Sequence, residues 1–77
     1  MNYTLMIAKG DYGVYTLDKS GCKYVVECYI YGYKVTLHEE YGLYDIAETR
    51  FMQLCMNSNV TPERVEHDIN DIMAFVD

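Results

Sequence analysis

The stretch CKYVVECYIYGYKVTLHEE, residues 22–40, decides the fold. Its first part, residues 22–30, alternates with period two. Cys22, Tyr24, Val26, Cys28 and Ile30 fall on one side of an extended chain, and Lys23, Val25, Glu27 and Tyr29 fall on the other. The first set is the more apolar, so it is expected to face the core. Tyr31-Gly32 supplies a reversal. Residues 33–39 then form a second run, with Tyr33, Val35 and Leu37 inward and Lys34, Thr36 and His38 outward. Two alternating runs across a Tyr-Gly turn read as an antiparallel hairpin.

The pattern extends toward the N-terminus. In YTLMIA, residues 3–8, Tyr3, Leu5 and Ile7 share one side and Met6 the other; KGDYG turns the chain, and residues 14–17 form a short run. DKSG, residues 18–21, reads as a turn in which Asp18 caps the first position and Gly21 takes positive φ. All five glycines lie within the first 42 residues, about ten apart, as hairpin punctuation. The expectation is a four-stranded antiparallel meander.

The period changes after Gly42. Asp45 and Glu48 approximate a capping box, Ala47, Phe51, Leu54 and Cys55 form one stripe, and Asn57-Ser58-Asn59 ends the helix. Thr61-Pro62-Glu63 then has the form of a second helix start. Val65, Ile69, Ile72, Met73 and Val76 follow at helical spacing, with Glu63, Glu66, Asp68 and Asp71 on the other sides. Strands first and helices second predict one α+β domain over residues 1–77, ββββαα, with both helices on one sheet face. The expected core includes Leu5, Ile7, Tyr24, Val26, Val35, Leu37, Phe51, Leu54, Val65, Ile69 and Ile72.

The formal charge of −6 is uneven. Residues 1–38 carry four basic groups against three acidic, whereas residues 39–77 carry two basic groups against nine acidic. An acidic half does not seek phosphate backbones. It serves solubility, or it meets a basic partner. There is no apolar run of membrane-spanning length and no leader-like N-terminus, so the expected location is the cytoplasm, with no membrane partner. Three cysteines without paired spacing predict reduced thiols.

Chemistry-bearing motifs are sparse. Phosphate loops, HExxH, CxxC and serine elbows are absent from the sequence. Cys22 and Cys28 stand about 20 Å apart along one extended strand and cannot share an ion. His38-Glu39-Glu40 is splayed at a strand end, Cys55 sits in acidic company, and His67 lies between Glu66 and Asp68. No metal, cofactor or catalytic group is assigned from these patterns.

Two surfaces remain. The outward sheet face carries Lys23, Val25, Tyr29 and Lys34, with Tyr31 at its edge; the last helix offers Glu63, Glu66, Asp68 and Asp71. Nine tyrosines in 77 residues suit contact surfaces. The reading is a non-enzymatic interaction or regulatory module, with a protein partner or self-association through the outer face. A second reading is a small-ligand binder or minor enzyme whose pocket brings His38 or Glu39 toward Cys55 or Tyr44. A third is single-stranded nucleic acid on the Tyr/Lys face, which the net charge disfavours.

The stretch NSNVTPERVEHDINDIMAFVD resembles the end of a family of short Firmicutes proteins without an assigned activity. Those carry a Tyr-Gly strand, a helix, and a Val-Ser/Thr-Pro turn into a last acidic helix. The resemblance covers residues 41–77, and loosely Tyr12-Gly13. It implies a bacterial origin and little else.

Overall fold

The computed structural model describes residues 2–30 and 34–68. Strands β1 (Asn2–Lys9), β2 (Gly13–Ser20), β3 (Lys23–Ile30) and β4 (Lys34–Tyr41) precede helix α1 (Tyr44–Ser58) and strand β5 (Glu63–Asp68). The sheet order is β4-β3-β2-β1-β5, with every neighbouring pair antiparallel. The meander is therefore present, and a fifth strand borders β1.

The second helix is overturned where it can be seen. Glu63, Glu66 and Asp68 belong to a strand, with Ile7 opposite Glu63 and Tyr3 opposite Asp68. Local signals favoured a helix, since ERVEHD has one apolar residue, Val65, and no alternation to mark a strand; Pro62 just before the strand removes no ladder hydrogen bond that the sheet needs. Without β5, β1 would expose its outer edge; pairing satisfies that row of backbone groups. Tertiary pairing overrides a weak helical propensity here. The helical positions Ile69, Asp71, Ile72, Met73 and Val76 lie outside the described residues.

The turn expected at residues 18–21 is also displaced. Asp18, Lys19 and Ser20 continue β2, and Ser20 pairs with Lys23 across a two-residue loop, Gly21-Cys22. Gly21 takes φ +62 as expected, and glycine first in a two-residue hairpin loop is what a type II′ turn requires.

Helix α1 packs on β2, β3 and β4. Ala47, Phe51 and Cys55 are buried against Met6, Ala8, Leu17 and Val26, with Tyr24, Leu37 and Leu54 around them. The alternation read in β3 is thus correct for Tyr24 and Val26. Burying Phe51 alone is worth about 2–3 kcal/mol. The helix begins at Leu43 without a side-chain cap, and Asp45 sits in the first turn rather than at the cap. Asn59 ends it in the left-handed conformation.

Two register shifts redirect side chains. One, between Thr4 and Met6, sends Met6 and partly buried Leu5 to the helix side, and leaves Ile7 on the opposite face. There Ile7 and Val14 form a second apolar cluster with Tyr29 and Val65. The other shift, between Cys28 and Tyr29, sets Val35 opposite Tyr29. Val35 is consequently 45% exposed rather than in the core.

Candidate functional site

The sheet face away from α1 carries a connected set of ionisable groups. Glu27 of β3 pairs with His38 of β4 and with Thr16 of β2, so three strands place Thr16, Glu27 and His38 side by side. The Tyr29 hydroxyl donates to Glu27 Oε1 at 2.8 Å, and His38 Nδ1 lies 2.9 Å from Glu27 Oε2. His38 Nε2 lies 3.1 Å from Glu40 Oε2, and Lys23 Nζ donates to Glu40 Oε1 at 3.2 Å. Both ring nitrogens face carboxylate oxygens, so both can donate only when the ring is an imidazolium. The hydrogen bond to Glu27, reinforced by that to Glu40, raises the His38 pKa above its ordinary value.

Asp18 lies beside this row and is 3% exposed. Thr16 Oγ1 donates to its Oδ2 at a long 3.4 Å, while Oδ1 is buried without a partner. Its cross-strand neighbour Thr4 has a buried Oγ1 that meets no hydrogen-bond partner at ordinary geometry, yet it stands close enough to the carboxylate to lower its pKa. Burial, with the Glu27 charge adding, pushes Asp18 up to about 6 against the pull of the two threonines. Desolvation likewise raises the Tyr29 hydroxyl, and its bond to Glu27 adds to the effect.

This face is not the open aromatic surface expected from the sequence. Val25 is buried, and Tyr29 is half-buried and engaged by Glu27. Lys23 is exposed but paired with Glu40. Lys34 is exposed at the start of β4. Tyr31 and Asp71 lie outside the described residues. The acidic surface expected of Glu63, Glu66 and Asp68 loses its helix, since all three belong to β5.

On the helix side, Arg50 forms a two-pronged pair with Glu39, Nε to Oε1 at 2.7 Å and Nη2 to Oε2 at 3.1 Å. Arg50 first, then the Tyr41 hydroxyl, holds the Glu39 carboxyl below its usual range. Tyr44 donates to Glu48, which Arg64 approaches at 3.7 Å. His38 is on the opposite face from Cys55, which keeps the two apart, while Glu39 lies on the helix side with its carboxylate engaged by Arg50 and Tyr41. Burial pushes the Cys55 thiol up to about 11, which keeps it protonated and inert. Among the described residues, no three His, Cys, Asp or Glu side chains are placed to hold a metal ion.

The outer side of α1 was not singled out in the sequence. Leu43 is 62% exposed, Ile46 52% and Met56 80%, with Met52 exposed between them. Ile46 and Met56 lie on the arc opposite Ala47, Phe51 and Cys55, Met52 flanks that arc, and Leu43 is the N-cap residue just before the helix. Of the four, Ile46 also lines a shallow groove of about 420 Å³, together with Tyr41, Asp45, Thr49, Arg50 and Gln53. The signal was available: Ile46, Met52 and Met56 fall off the stripe that Phe51 and Cys55 define.

A second cleft, of about 450 Å³, lies where the β1–β2 turn meets the end of α1. No described helix is long and apolar enough to cross a membrane. No family model, curated protein or solved structure matches the chain.

Proposed function

We propose that this chain is a non-enzymatic protein-binding module that seats a basic, amphipathic partner segment on the outer face of α1. The observation that carries this reading is the exposure of Ile46, Met52 and Met56 along the only described helix, with exposed Leu43 at its N-cap. A helix usually turns large apolar groups toward its own core, and methionine suits adaptable contact surfaces. Charge supplies the partner's character. The chain carries −6, so a second copy would arrive against like charge, whereas a cationic segment is attracted. The basic group nearest the groove, Arg50, is already neutralised by Glu39, and Asp45 lines the groove. The carboxylates of Asp18, Glu27 and Glu40 count against a nucleic-acid ligand on the sheet face.

A titration with a helical Leu/Lys peptide, followed by amide chemical shifts, tests the reading. Shifts confined to Leu43–Met56 positions on the outer arc, absent with a Leu/Glu peptide of the same pattern, are expected. Equal binding of both peptides, or shifts centred on the sheet face, would contradict it.

A further inference from the structure

The cleft at the end of α1 has walls and charge of a different kind from the helix surface. Ile30 and Val60 make it apolar, and the phenol rings of Tyr12 and Tyr15 line it. Its volume, about 450 Å³, is enough for a small molecule. The Tyr15 hydroxyl and Ser58 Oγ, 2.7 Å apart, tie β2 to the last turn of the helix and give the site two polar atoms.

The electrostatic features all have one sign. Asp11 is the one charged group among the described lining residues. Ser58 brings the C-terminal turn of α1 to the cleft, and that turn carries no basic residue to offset the negative end of the helix dipole. Phenol ring faces attract cations as well. The chain's net charge of −6 raises the local concentration of any positive solute.

We propose that this cleft binds a small organic cation: an ammonium group carried on a compact apolar body. The ammonium sits toward Asp11 and the helix end, and the apolar body lies against Ile30 and Val60. An anion meets three unfavourable features there, and a neutral molecule gains only the walls. The site is separate from the outer face of α1 and stands or falls independently of it.

The test compares choline with its neutral isostere, 3,3-dimethylbutan-1-ol, by amide chemical shifts on the full chain. Choline is expected to produce saturable shifts at Tyr15, Cys28 and Ser58. It should bind about tenfold more tightly than the alcohol, the size of an exposed cation–π contact added to the attraction of an exposed carboxylate. Asp11→Asn should weaken choline about three- to tenfold and leave the alcohol unchanged. Thr36→Lys, which brings a cation to the lining from an exposed position, should abolish choline binding. Equal affinities for choline and the alcohol would overturn the proposal. So would shifts mapping elsewhere, or no saturable shift with choline. Loss of peptide binding on Ile46→Asp with choline binding retained would show that the two sites are distinct.

Discussion

His38 Nδ1 sits 2.9 Å from Glu27 Oε2 across the β3–β4 ladder, which makes a half-exposed imidazole the cationic partner of a buried carboxylate. The pair ties the edge strand β4 to the sheet, and it depends on protonation.

The hydrogen bond to Glu27, then that to Glu40, raises the His38 pKa above 6.5 in the fold. A base with a raised pKa gives its full stabilisation below the unfolded value and loses it as pH climbs through the folded one. The side-chain NMR titration of His38 is therefore expected to have its midpoint above 6.5. His38→Gln should flatten the fall in stability between pH 6.5 and that midpoint. A midpoint at or below 6.5 would contradict the pairing.

Asp18 lowers stability with rising pH as well, but because its charged form is disfavoured in the fold. Burial takes its pKa from 3.8 to about 6, so folding favours the protonated acid. Its ionisation costs stability progressively as pH rises from about 4 to about 6. Asp18→Asn should therefore stabilise the protein at pH 7, by roughly 1–3 kcal/mol. Little effect is expected at pH 3.5. Urea midpoints at the two pH values check it, and a variant equally destabilised at both would show that the carboxylate is better satisfied than its unpartnered Oδ1 implies.

The sequence made part of this visible. The alternation of Tyr24 and Val26 against Val25 and Glu27 needs only the pleat of one strand, so their faces could be read directly. Gly21, Asn59 and the Phe51–Cys55 stripe are local signals too. The Glu27–His38–Asp18 grouping was not legible, because it needs the register of three strands at once. Asp18 looked like a turn residue, although its alternation with Thr16 continues β2. The shift at Leu5, which turns Met6 inward and Ile7 outward, has no marker such as glycine beside it. β5 was missed because its stabilisation comes from the edge of β1, sixty residues away in the chain.

Two glycines separate backbone conformation from space. Gly21 has positive φ but nothing near a substituted Cβ, so Gly21→Ala should cost about 1 kcal/mol. At Gly13 a Cβ would collide with the Tyr29 carbonyl oxygen, so Gly13→Ala should cost more, about 2–4 kcal/mol. Denaturant unfolding of both variants checks the order. Equal costs would mean that the β2–β3 approach is looser than described.

Phe51 and Met56 occupy opposite sides of α1. Phe51 is fully buried, so Phe51→Ala should cost about 3–5 kcal/mol, enough to unfold a domain of this size. Met56→Ala should change stability by less than about 0.5 kcal/mol. A large loss at Met56 would mean that this side chain packs within the chain and is not a contact surface.

Affinity capture from the native host, with wild-type chain beside an Ile46→Asp/Met56→Asp variant, tests the central claim most directly. Both positions are exposed, so the variant keeps its fold, which circular dichroism verifies. The account predicts that wild type retains a basic protein and that the variant retains it about thirtyfold less, the loss of roughly 2 kcal/mol of apolar contact. Recovery of the same proteins in the same amounts by both would contradict a binding function for the outer face of α1.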